Sequence, residues 1–219
     1  VARRQGRPYD PDRFTLFQAL HVALRDHPPL SRIAMDRGAE GNATLAFFEA
    51  YFSNFIEGTE FAVEEAADIV FRGVIPNERP EDAHDVLGTW RIVSDMAEMH
   101  RIPQDGKTLT RLIKARHAAI MESRSDKRPG EFKLTENRAG STVFVAPDLV
   151  AGTLEQGFDL CRSLETPFQR AVFIMFLIAE VHPFADGNGR TARIMMNAEL
   201  VAAGKVKKVE TGAQQAVNL

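Results

Sequence analysis

The chain has one cysteine, Cys161, in 219 residues. A lone thiol excludes an internal disulfide framework and suits a reducing compartment. It falls in an apolar helical pattern, which makes it core filler rather than a nucleophile. Long apolar runs are also missing, so no transmembrane helix is expected. The start, Val1-Ala2-Arg3-Arg4, is basic but leads into polar residues, which excludes a signal peptide. Starting on Val1 suggests a trimmed chain. Positive charge is not in excess: Lys and Arg total 27 against 30 Asp and Glu, a formal net charge of -3. A general nucleic-acid binder would carry a basic surplus. Clustered basic residues are confined to Lys205, Lys207 and Lys208, read as a solvated tail. No internal repeat or low-complexity tract stands out. The expectation is a cytoplasmic protein with no nucleic-acid or membrane partner.

What is present reads mostly as helix. The hydrophobic content of 44% is ordinary for a globular domain, and the length suits one domain with a sizeable core. Apolar residues recur at helical spacing near 12–26, 44–57, 62–72, 81–100, 109–122, 148–164, 167–180 and 189–203. Thr166-Pro167-Phe168-Gln169 offers an N-cap, a first-turn proline and a capping-box glutamine. Gly73 and Gly204 stand where helices should stop, and Thr108 is a candidate N-cap. Ala171 to Val181 is apolar nearly all round, which predicts a central helix buried on every side. Residues 129–147 break the pattern with Pro129, Gly130, Gly140 and Pro147, while Val143 and Val145 alternate; a loop or short hairpin is expected there. The fold class is therefore all-α, a single helical domain with a small β-hairpin flap. Its divisions are an N-terminal helical segment 1–43, a core 44–204 that opens on a helix 44–58, and a tail 205–219.

The chemistry concentrates in His182-Pro183-Phe184-Ala185-Asp186-Gly187-Asn188-Gly189-Arg190, followed by Arg193. His182 follows the apolar helix, and an imidazole titrating near neutrality can accept a proton from an attacking hydroxyl. Pro183 fixes the turn and Phe184 is expected to anchor the loop in the core. Asp186 offers a hard oxygen ligand suited to Mg²⁺. Gly187-Asn188-Gly189 lets backbone N–H groups approach an anion at a helix N-terminus, whose dipole favours phosphate. Arg190 and Arg193 share a helical face, and their forked donors suit phosphate oxygens. Each part alone is weak: a histidine after a helix, an Asp in a Gly/Asn turn and two helical arginines are usually structural. Eight residue types at fixed spacing do not coincide by chance.

The stretch matches the Fic motif, H-x-F-x-D/E-G-N-G-R-x-x-R, at every specified position, and the chain resembles that family over roughly residues 40–203. Ser53-Asn54-Phe55-Ile56-Glu57-Gly58 is similar to the family's inhibitory motif, S/T-x-x-x-E-G/N. The resemblance implies a Fic-type helical domain that moves AMP from ATP to a Ser, Thr or Tyr hydroxyl of a target protein, releasing pyrophosphate. It implies His182 as general base and Asp186 as the ligand of Mg²⁺ or Mn²⁺. It also implies Gly187, Asn188 and Gly189 as the phosphate cradle, Arg190 as its support and Arg193 on the γ-phosphate. The break near residues 137–146 would be the target-binding flap, with Ser141, Thr142 and Val143 at its centre. Implied partners are ATP, a target protein and the chain itself by auto-modification; a homo-oligomer is left open. Beyond Ala203 the family often continues through a Pro-containing segment, whereas here Gly204 leads into a lysine-rich tail: either the chain is truncated or this member lacks that part.

Ser53 and Glu57 lie four apart on one predicted helical face, with Gly58 ending the helix. If Glu57 pairs with Arg193, that guanidinium cannot clamp the γ-phosphate, and basal activity is low. Some members of the family use this glutamate to remove AMP. Transfer of UMP, phosphocholine or phosphate and an ATP-sensing binding module remain alternatives, the last disfavoured because binding phosphate needs no His182.

Overall fold

The computed structural model describes residues 7–27 and 38–205. Lys207, Lys208 and most of the expected tail lie outside the described residues, as do Val1 to Arg4. Nine α-helices and one two-stranded hairpin make up the described fold. In chain order these are α1 (Pro11–Asp26), α2 (Gly38–Phe55), α3 (Val63–Ala67), α4 (Pro80–Ser94), α5 (Met96–Met99), α6 (Gly106–Ile120), β1 (Arg138–Ala139), β2 (Thr142–Val143), α7 (Val150–Arg162), α8 (Pro167–Val181) and α9 (Asn188–Ala202). The fold is all-α. Among the described residues, no helix is long and apolar enough to cross a membrane.

Helix starts follow the local chemistry. Asp10 caps α1 by accepting the Asp12 and Arg13 N–H groups, with Pro11 in the first turn. Thr166 and Gln169 form the expected capping box on α8. On α6 the expected cap is displaced. Asp105, not Thr108, is the N-cap, and Thr108 closes the box from the third helical position. A carboxylate is the stronger acceptor for helix N–H groups, so the aspartate sets the start. The predicted helix over 81–100 is divided at Asp95, which ends α4 and caps α5 by accepting from Ala97 and Glu98. A side chain that bonds forward to the backbone competes with helix continuation. The stretch after α3 widens to a π-turn over Asp68–Arg72, stopped by left-handed Gly73.

One apolar cluster joins Phe17, Leu109, Ile113, Leu154, Phe158, Phe173, Ile174, Leu177 and Phe184, so α1, α6, α7 and α8 close over the loop after α8. Each large side chain so buried contributes about 1.5–3 kcal/mol. The enclosed helix is α9 rather than α8. Every α9 residue from Arg190 to Val201 is buried, whereas Val172, Met175, Phe176, Ala179 and Glu180 of α8 are partly exposed. An all-round apolar sequence therefore did not mark the centre. The central helix carries Arg190, Arg193, Asn197 and Glu199, whose polar ends find partners on other helices.

The hairpin pairs Arg138 with Val143 and Ala139 with Thr142, antiparallel, across a two-residue turn in which Gly140 takes a φ of 55°. It is braced from α1: Arg13 donates to the Val143 carbonyl at 2.7 Å and pairs with Glu180 of α8.

Candidate active site

His182 occupies the C-cap of α8 with left-handed backbone angles, φ 49° and ψ 60°, and its N–H donates to the Ile178 carbonyl. This turn throws the side chain off the helix axis towards the hairpin. Its Nδ1 lies 3.2 Å from the Ala179 carbonyl. A carbonyl only accepts, so Nδ1 carries the proton and Nε2 is left as the proton acceptor. Phe144, the residue after β2, stacks on the imidazole at 3.8 Å and 8°. Burial first, and the Lys133 cation, lower the His182 pKa, which keeps the ring neutral near pH 7.

The loop after His182 is closed from within. Phe184 is fully buried, as expected of an anchor. Its N–H donates to Asn188 Oδ1 at 2.8 Å and its carbonyl accepts from Asn188 Nδ2 at 2.9 Å. Asn188 thus pairs with both the N–H and the C=O of one residue, a role that needs a donor and an acceptor on one short side chain. Gly187 sits at φ 70°, and a Cβ there would come 2.8 Å from Met121 Sδ, so both backbone and space require glycine. Asp186, half exposed, accepts its neighbour's N–H, from Gly187, at 2.6 Å. From Asn188 the chain enters α9, whose first N–H groups have no partner within the helix.

Arg193 receives α2. Its Nε donates to Ser53 Oγ at 2.9 Å, and its Nη2 donates to the Ser53 carbonyl at 2.8 Å and to Glu57 Oε1 at 2.6 Å. The contact with α2 is a polar seam that continues through Asn54 with Arg190 and Glu49 with Asn197. The last turn of α2 has no basic residue of its own, so Arg193 supplies the cation that its C-terminal carbonyls attract. Glu57 lies past the helix rather than in it: α2 ends at Phe55, and residues 56–58 form a turn closed by Gly58 at φ 89°. The turn folds the carboxylate onto the start of α9. A Cβ on Gly189 would be 2.2 Å from Glu57 Oε1, so glycine at 189 makes room for this oxygen.

Arg190 turns inward. Its Nη1 is 2.7 Å from Asp85 Oδ2 and 3.3 Å from Asn54 Oδ1, and Asp186 lies 3.7 Å from Nη2. Asp85 also binds Arg124 at 2.7 Å. The fold therefore gathers His182, Asp186, Gly187, Asn188, Gly189, Arg190 and Arg193 around the start of α9 and brings Ser53 and Glu57 onto them. Ser141, Thr142 and Val143 lie exposed in the hairpin, and it is Phe144 that touches the histidine.

Sequence reasoning missed the residues that hold this geometry. Phe144, Asn137, Lys133, Asp85 and His117 each lie outside the motifs. Asn137 donates to the Phe184 carbonyl at 2.9 Å. His117 is fully buried on α6, stacked on Phe184 at 3.7 Å, accepting the Gly130 N–H at Nδ1 and donating to the Asp186 carbonyl from Nε2. A ring that accepts at one nitrogen must be neutral, and burial pushes its pKa down to about 4. The folded value lies below the unfolded value, so the stabilisation is complete above about pH 6.5 and is lost as pH falls towards 4. By pH 5 about 2 kcal/mol should be gone. Thermal unfolding at pH 7, 6 and 5 should show this loss in the wild type and a shallower one in His117→Phe; equal slopes would refute the assignment.

Residues 108–200 match the family model described as the Fic/DOC family. The chain is 27% identical over 187 residues to the protein adenylyltransferase fic-1 of Caenorhabditis briggsae, covering 79% of this chain and 36% of that protein. It is 26% identical over 165 residues to the protein adenylyltransferase Fic of Nematostella vectensis, covering 73% and 38%. The chain thus spans little more than a third of these relatives' length. A Fic domain-containing signaling protein from Bacteroides thetaiotaomicron shares the fold with a TM-score of 0.68 at 18% identity, over 94% of this chain and 78% of that one. A fragment of Caenorhabditis elegans Fic-1, residues 134–508 with the change E274G, gives 0.63 at 19% identity, over 94% and 62%. The segment that matches the Fic/DOC family model contains the whole loop from His182 to Arg193.

Proposed function

We propose that this protein is a self-inhibited protein adenylyltransferase, moving AMP from ATP to a Ser, Thr or Tyr hydroxyl. The observation that carries the reading is a base and an anion seat side by side: His182 with Nε2 as acceptor, next to a glycine-flanked helix N-terminus backed by Arg193. The names of the curated relatives support AMP as the transferred group.

In this reading Nε2 takes the proton of the target hydroxyl as its oxygen attacks the α-phosphorus, and the bond to the β-phosphate breaks to release pyrophosphate. The N–H groups at the start of α9 bind phosphate oxygens, and Arg193 neutralises the outer phosphate. Arg190, committed to Asp85, holds α9 to α4 and supports the cradle from behind. The exposed hairpin aligns the target backbone, with Phe144 tying it to His182.

Among the described residues no three His, Cys, Asp or Glu side chains converge on a metal position. One half-exposed carboxylate, Asp186, fits Mg²⁺, which keeps several waters and is commonly held by one or two carboxylates with substrate phosphates. When bound, the ion would neutralise phosphate charge. Asp186→Ala should lower transfer at least about tenfold and raise the Mg²⁺ needed for half-maximal rate. EDTA should abolish transfer, and full activity in EDTA would refute this role.

Inhibition follows from charge. With Glu57 on Arg193, the guanidinium is unavailable to a phosphate, and the carboxylate repels one from the start of α9. The decisive experiment supplies ATP labelled at either the α or the γ position. Label from the α position alone supports AMP transfer, label from the γ position alone would replace it with phosphate transfer, and no label from either, even without Glu57, would remove the transferase reading.

A further inference from the structure

Lys133 stands just before the hairpin, only 3% exposed. Its backbone N–H donates to the Pro183 carbonyl at 2.9 Å, clipping it to the residue after His182. Its ammonium donates to Asn137 Oδ1 at 2.6 Å, and Asn137 donates in turn to the Phe184 carbonyl. The same ammonium lies 5.9 Å from the centre of Phe144, the ring stacked on His182. Lysine, amide, phenyl and imidazole so form one continuous layer beneath the hairpin. Among the described residues no carboxylate is within ion-pair distance of Nζ. Glu136 attracts it from further away, while Arg13 repels it. Burial pushes the Lys133 pKa down to about 8, so its ammonium remains charged over the range in which His182 titrates.

We propose that Lys133 is a positioning residue for the base: its ammonium, fixed beneath the hairpin, disfavours a second positive charge on the His182 imidazole and holds that ring in its proton-accepting form. The inference rests on His182 being the base of the proposed reaction. His182 faces charges of both signs. Glu57 at the turn after α2, Asp186 in the loop and the Ala179 carbonyl on α8 favour its protonation; Lys133 opposes them, in the same direction as burial. A nucleotide entering the site would replace one carboxylate with several phosphate charges and draw a proton onto the ring more strongly. Lys133 is the cation placed to counter that pull.

Removing the cation raises the pKa of His182, so the acidic limb of the rate profile moves to higher pH. Two charges that both adjoin one partly buried ring interact enough to shift titration by about half a pH unit or more. The imidazole Cε1–H signal of His182, assigned by its loss in His182→Asn, can be titrated by NMR in the full chain. Lys133→Gln keeps a hydrogen-bonding group for Asn137 without the charge, and Lys133→Met removes both. His182 should titrate about half a unit or more higher in each and at the wild-type position in Lys133→Arg. The rate profiles in a Glu57→Gly background should shift in parallel. An unshifted His182 in Lys133→Gln, or an equal shift in Lys133→Arg, would overturn the inference. If Glu57→Gly labels nothing while the titration shift appears, the charge coupling stands and the transferase reading falls; if labelling proceeds with no shift, only this inference falls.

Discussion

Glu57→Gly should raise auto- or target modification by tenfold or more over wild type. The carboxylate is 2.6 Å from Arg193 in a partly buried setting, with side-chain exposures of 10% for the arginine and 27% for the glutamate. A pair of this kind is costly to break from one side, on the order of a few kcal/mol, and each 1.4 kcal/mol is about a decade in rate. Glycine at 57 adds little strain because residues 56–58 already form a turn outside α2. The remaining contacts of Arg193 with Ser53 and of Arg190 with Asn54 keep α2 in place. The gain should therefore come with the fold intact and a melting temperature lower by about 5–10 °C. The double variant Glu57→Gly with Arg193→Ala should lose most of the gain, since both effects run through one guanidinium. Equal labelling by Glu57→Gly and wild type across a range of ATP concentrations would reduce Glu57 to an ordinary helix-end residue.

His182→Ala should abolish transfer, by about 10²–10⁴ in rate, while ATP affinity stays largely intact. The cradle lies at residues 187–193, at the start of α9, and His182 touches Phe144 and Ala179 instead. Because position 182 is in the left-handed region, alanine there also strains the turn. Asparagine tolerates that backbone and carries no base, so His182→Asn is the cleaner test and should be equally inactive. Calorimetry and labelling on the same preparations separate binding from chemistry. A variant that binds ATP poorly but transfers normally when saturated would move His182 from the base to the binding site.

The loop was legible because its chemistry is contiguous: base, carboxylate, glycine cradle and arginines follow one another within twelve residues, and a helix start is a local event. The partner of Arg193 was reached only through resemblance, since Glu57 stands 136 residues away. Even then the helix was placed too late at both ends: α2 runs Gly38–Phe55, and Gly58 marks the end of the following turn. The centre of the fold was misplaced for a related reason. Apolar periodicity located α8, but burial also goes to polar helices whose charges are matched, and the matches of α9 come from α2, α4 and α8.

By itself the sequence determined the helical class, the hairpin near residue 140 and the residues that could do chemistry, because propensity, capping and loop motifs act over a few neighbours. The tertiary structure alone decided which nitrogen of His182 is left to accept a proton, that Arg190 is committed to Asp85, and that Lys133, Asn137, Phe144 and His117 support the loop. Those outcomes depend on hydrogen bonds and charges between segments distant in the chain. Their strength comes from burial that no local stretch of sequence can report.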